Sequence, residues 1–116
     1  MKVSEVITDR ARLELNDNEP ANVQRWGNAL LLLFFNDASR LIVSQRPEEL
    51  LDGNGALVTI VDRTGLGQDV QIAAKWVPAY VAYICSRAFK VPGQERMNLE
   101  AAAAQEDSFW RLIKNL

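Results

Sequence analysis

The chain has 116 residues, 48% of them hydrophobic and 24% charged, with a formal net charge of -2. That is the length of one domain, with enough apolar material for a modest core, which excludes two ordinary domains and a wholly disordered chain. Thirteen basic residues spread among fifteen acids offer no phosphate-gripping face, and the lack of histidine removes the commonest base near neutral pH together with Ser-His and Cys-His nucleophile pairs.

The N-terminal stretch carries Glu5 and Asp9 and no apolar run of signal-peptide length. Ser4 is the expected cap of a first helix over residues 4–15, with Val3, Val6, Ile7, Ala11 and Leu15 on one face. The polar run Asn16-Asp17-Asn18-Glu19-Pro20 is expected to stop it and to form a solvated linker. That run lacks the alternating acids, central glycine and closing glutamate of a calcium loop.

A second helix is predicted over residues 28–45. At about 100° per residue, Leu30, Leu31, Phe34, Phe35, Ala38, Leu41 and Ile42 gather into one arc, the expected core face. Leu32 and Val43 fall outside it on a common line, and a second apolar line on a small domain points to a neighbouring chain. The longest apolar run, residues 29–35, is far short of a membrane span, so no membrane contact is expected.

Pro47 ends this helix. Glu48-Glu49 is the obvious candidate carboxylate pair for acid–base chemistry, but adjacent acids beside a proline read as solvated loop residues. A turn at residues 52–55, a β-branched run at 56–61, a second turn at 64–67 and Val70-Gln71-Ile72 read as a β-hairpin or extended arm over about 53–72. An isolated hairpin is marginal in water, so the arm is expected to be mobile in the free chain and ordered against neighbours. Gly65 and Gly67 lack the third glycine and the strand–turn–helix setting of a dinucleotide fingerprint.

Pro78 suits the first turn of a third helix over 77–89, with Val77, Val81, Ile84, Cys85, Ala88 and Phe89 as its buried stripe. Cys85, the one cysteine, reads as a small buried thiol and excludes both an internal disulfide and a structural zinc site. Val91-Pro92-Gly93 breaks this helix. A fourth follows over 95–116, with a narrow polar face of Arg96, Glu100, Asp107, Arg111 and Lys114. Its apolar arc takes in Met97, Leu99, Ala101, Ala104, Phe109, Trp110, Leu112, Ile113 and Leu116, wide enough to predict burial on more than one side. The candidate subunit interface is therefore Leu32 and Val43 of one copy against Phe109 and Trp110 of the next. No helix carries the polar and basic face that a helix-turn-helix reader needs. The fold class is mostly α: a single domain, residues 1–116, built as a bundle of about four helices with a short hairpin or arm between the second and third.

Several segments form an ordered set: the opening Lys2-Val3-Ser4-Glu5-Val6-Ile7-Thr8-Asp9-Arg10-Ala11-Arg12, then Arg25-Trp26, then a Leu-rich helix with Asn36-Asp37 that ends Ser44-Gln45-Arg46-Pro47. Trp76-Val77-Pro78-Ala79-Tyr80-Val81, Ser86-Arg87-Ala88-Phe89 and Phe109-Trp110 complete it. Taken in order, these segments resemble head-to-tail connector (adaptor, or head-completion) proteins of tailed bacteriophages. The resemblance implies a virion protein at the head–tail junction, made in the host cytoplasm. It further implies a ring of about twelve copies between the portal protein and the tail or nozzle proteins, with DNA only as transient cargo. A slightly acidic conduit repels phosphate, as that role requires. The family supplies no catalytic residue, cofactor or metal, and none is expected here. The middle, residues 48–75, is shorter than in the adaptors it most resembles. The chain stops at Leu116 directly after the fourth helix, so the portal contact that a C-terminal tail makes in some relatives would come from elsewhere. A small oligomeric regulatory or antitoxin-like helical protein is the alternative reading.

Overall fold

The computed structural model describes residues 1–17, 26–51, 54–91 and 99–115, and its regular elements are all helical. Helix α1 (residues 3–14) begins as α-helix at Val3–Val6, widens into a π-helical stretch at Ile7–Ala11 and closes with an α-helical turn, Arg12–Glu14. Its expected face is its buried face: Val3, Val6, Ile7, Ala11 and Leu15 all lie in the core. Ser4 is not the cap. The first free amides are satisfied from the middle of the chain, Val3 N–H donating to the Gln68 carbonyl and Ser4 N–H to the Leu66 carbonyl, both at 2.9 Å. Glu5 reaches back to the Lys2 amide at 3.3 Å.

The helix stops at Asn16, which takes a left-handed φ of 54°. The Asn16 amide donates to the Leu13 carbonyl at 3.1 Å and the Asp17 amide to the Arg12 carbonyl at 2.8 Å, the paired bonds of a Schellman stop. Asparagine tolerates that conformation because its short side chain substitutes for glycine's freedom. The expected solvated linker is corrected at Asp17, which is fully buried. Its carboxylate accepts from Arg12 Nη1 at 2.9 Å and from the Trp26 amide at 3.1 Å. Pro20 and Arg25 lie outside the described residues, as do the turn residues Asp52 and Gly53, the break at Pro92-Gly93, and Glu95, Arg96, Met97 and Leu116 of the predicted fourth helix.

Helix α2 (Asn28–Gln45) has the predicted bounds. Leu31, Phe34, Phe35, Ala38 and Ile42 of the predicted arc are buried, while Leu30 and Leu41 are half-buried at its edges. A 3₁₀ turn, Pro47–Leu50, follows, and a second, Ala74–Trp76, leads into α3 (Val77–Ala88). Helix α3 is the centre of the bundle, buried on more sides than its predicted stripe. Ala79, Tyr80, Ala82 and Ser86 join Val77, Ile84, Cys85 and Ala88 out of solvent, because α1, α2 and α4 all pack against it. Tyr80 stacks on Phe35 with ring centroids 4.3 Å apart, and its hydroxyl shares a 2.6 Å hydrogen bond with Ser39.

Burial pushes the Tyr80 phenol up from 10.0 to about 12, against the opposing pull of Ser39. The raised value means that folding favours the neutral phenol. Its stabilisation is complete below pH 10 and is lost as pH rises towards 12. A pH titration followed by phenolate absorbance and far-ultraviolet circular dichroism should therefore show Tyr80 ionising together with loss of helix. Full tyrosine ionisation with the helices intact would contradict that coupling.

Of the two forms expected for residues 53–72, the extended arm is the one present, and no strand occurs among the described residues. Gly55, at φ +80°, makes the turn that glycine alone takes without strain. The β-prone residues pair with other parts of the chain instead of with one another. Lys2 bridges to Asp69, Leu51 bridges to Leu57, and the Val70 amide donates to the Met1 carbonyl at 2.9 Å. Gln71 spans the arm, accepting from the Val61 amide at 2.9 Å and donating to the Thr59 carbonyl at 3.0 Å. Ile72 enters the core, and Ile60, Leu66 and Val70 pack against it. These contacts tie the arm to α1 and α2.

Helix α4 (Leu99–Asn115) is the last element. Only a thin stripe, Ala102, Phe109 and Ile113, is buried. Leu99, Ala104 and Trp110 of the predicted arc are exposed, and Ala101 and Leu112 are half-buried. Among the described residues α4 packs chiefly on α3, so one face is covered and much of the rest is exposed.

Candidate assembly surfaces

The four predicted interface residues do not form one kind of surface. Leu32 and Val43 are half-buried and pack along the edge of the core. A helix flank lying outside the main arc is still partly covered, because the neighbouring layer is wider than a single line of residues. Phe109 is 1% exposed and belongs to the chain's own core, tilted against Tyr83 with centroids 5.2 Å apart. Trp110, 40% exposed, lies edge-on to Phe109 and presents the rest of its indole outward. Of the four, Trp110 alone offers a large apolar surface to a partner.

Other exposed apolar residues were missed by periodicity. Leu13 stands at the end of α1, Leu33 on α2, and Leu51, Leu57 and Val61 on and beside the arm. Leu57 is 78% exposed. Its β-prone neighbourhood read as material for a hairpin, which is why the sequence did not mark it as surface.

Glu48 and Glu49 do not act together: Glu48 pairs with Arg46 at 2.6 Å and Glu49 with Lys75 at 3.0 Å. The hydrogen bond from Arg46 holds the Glu48 carboxyl below its usual range. Cys85 is buried, its thiol 3.8 Å from the Ala11 carbonyl, and burial pushes its pKa up to about 12, far from a reactive thiolate. Among the described residues no cluster of His, Cys, Asp or Glu could hold a metal ion, and no helix is long and apolar enough to cross a membrane.

Two further features place the surfaces. Arg46 extends from the end of α2 to the Ile113 carbonyl at 2.6 Å, clamping the last turn of α4, and its guanidinium lies over the Trp76 ring at 5.5 Å. Asn36 holds the arm to α2 by a two-way bond, donating to the Arg63 carbonyl at 3.0 Å and accepting from its amide at 2.9 Å. Arg40 pairs with Asp37 at 2.6 Å and also with Asp62 of the arm.

Compared with known proteins, the chain matches no family model, no curated protein and no solved structure.

Proposed function

We propose that the protein is a non-catalytic structural component of a tailed-phage virion. In this reading it forms a ring between the portal and the tail proteins that completes the head and lets DNA pass. The reading rests on the ordered set of residues that resembles the head-to-tail adaptors, and one structural observation carries it. Large apolar side chains stay uncovered on several elements of a small bundle: Leu13 on α1, Leu57 and Val61 on the arm, Leu99 and Trp110 on α4. Scattered single leucines are ordinary, but so many on a 116-residue chain suit a protein with neighbours on more than one side. The arm, fastened to α1 and α2 yet exposing Leu57 and Val61, suits contact with the portal or the tail.

Negative-stain electron microscopy and native mass spectrometry of the purified chain test this. The expected result is a closed ring of about a dozen bare polypeptides. A twofold dimer would favour the regulatory or antitoxin-like alternative. A stoichiometric metal or nucleotide adduct would overturn the non-catalytic reading.

A further inference from the structure

Helices α1 and α4 pack on opposite sides of α3. Cys85 faces the Ala11 carbonyl of α1, whereas Tyr83 faces Phe109 of α4, and residues two apart on a helix point about 200° apart. Each flank carries a surface that the chain's own fold leaves unused.

On the α1 flank, an open groove of about 480 Å³ runs between α1 and the start of α3. Leu13, Val77 and Val81 give it apolar walls, and Leu13 is 64% exposed. Glu5, Asp9 and Glu14 line it against the single cation Arg10. Among the described residues these three acids make no ion pair, whereas Asp37, Asp62, Asp69, Glu106 and Asp107 each do. Asp9 and Arg10 sit in the π-helical stretch, a rare conformation that recurs at functional positions.

On the other flank, the outer face of α4 bears an apolar line with a basic end. Leu99, Ala103, Trp110 and Lys114 fall within about 60° of one another at helical spacing. All four are exposed. Lys114 makes no ion pair among the described residues, and Arg111 stands beside it on the exposed side.

We propose that these two surfaces are the halves of one contact between copies of this chain. The Leu99–Trp110–Lys114 line of one copy lies in the α1 groove of the next, its apolar residues on Leu13, Val77 and Val81 and its Lys114 against Asp9 and Glu14. The proposal rests on the ring reading and specifies its joint. Because different patches meet on opposite flanks, the contact repeats from copy to copy until it closes, which a twofold dimer contact does not do. Acid meets base and groove meets ridge, and the charged residues and Leu13 are exposed in the monomer, with Val81 half-buried beside them and the buried Val77 forming only the floor.

The decisive experiment uses two full-length charge-reversal variants. One carries Asp9→Lys and Glu14→Lys in the groove, the other Lys114→Glu on α4. Each alone should keep its circular dichroism spectrum and melting temperature, while the concentration for half-assembly rises about tenfold or more. Mixed one to one, they should assemble again, because in an alternating ring every joint pairs opposite charges. Trp110→Ala should weaken assembly by a similar factor, with no rescue on mixing. Wild-type assembly by both charge variants, or failure of the mixture to recover, overturns this joint and leaves the ring itself standing. A wild-type chain that stays monomeric overturns the ring reading and the joint together.

Discussion

Replacing Arg12 with alanine should lower the melting temperature by about 10–20 °C, the largest effect expected of any single polar substitution here. Arg12 and Asp17 are both withdrawn from solvent, the side chains 1% and 0% exposed, at a 2.9 Å separation. Arg12 Nη2 also donates to Asn28 Oδ1 at 2.7 Å, and Asp17 accepts from the Trp26 amide. One guanidinium thus ties the end of α1 to the start of α2 from beneath the surface. Burial draws the Arg12 pKa down from 12.5 and Asp17 opposes the shift, yet a guanidinium remains charged at any working pH. Truncating it removes a 2.9 Å ion pair from beneath the surface, a loss of about 3–5 kcal/mol. Asp17→Ala should cost a comparable amount, and the double variant less than the sum, since the two residues share one interaction. Thermal and urea denaturation of the three variants measure this. A loss below about 1 kcal/mol for Arg12→Ala would mean that the pair behaves as an exposed one.

The second large effect should come from Asn36→Leu. Leucine fills much of the same space but makes neither bond to Arg63, stranding a backbone amide and a carbonyl at a partly buried site. The expected cost is about 2–3 kcal/mol. Its distribution matters more than its size. Hydrogen exchange should quicken at Val61, Arg63 and Thr64, while the amides of α3 keep their protection, because the arm is held at its edge and the core is not. The ion pairs of Arg40 with Asp37 and Asp62 lie at the surface and cannot substitute, since exposed pairs contribute little. Unchanged exchange in the arm would show that Ile60, Leu66 and Val70 hold it by packing alone. If the arm contacts the portal or the tail, Asn36→Leu should also impair virion assembly at temperatures where the variant is still folded.

Most of the fold was legible because it depends on local chemistry. The bounds of α2, the buried face of α1, the Pro78 start of α3 and the burial of Cys85 all follow from periodicity and turn residues close in sequence. The positions that escaped are those where a distant segment decides the outcome. Asp17 reads as a solvated acid until Arg12 and the Trp26 amide close over it. Ser4 reads as a cap until the carbonyls of Leu66 and Gln68 arrive to take its place. The β-branched residues of 56–61 read as a strand, yet Gln71 and Asn36 satisfy nearby backbone groups with side chains and leave no ladder to form.

The same division separates the assembly surfaces. Composition alone argued against a static nucleic-acid grip and against histidine chemistry, and the width of the apolar arc on α4 signalled more apolar surface than one chain covers. Which side chains remain uncovered is a question of how many neighbours each helix finds, and only the packed bundle answers it. Phe109 turned inward because α3 supplies Tyr83 beside it, and Trp110, one residue and about 100° further round, was left facing outward.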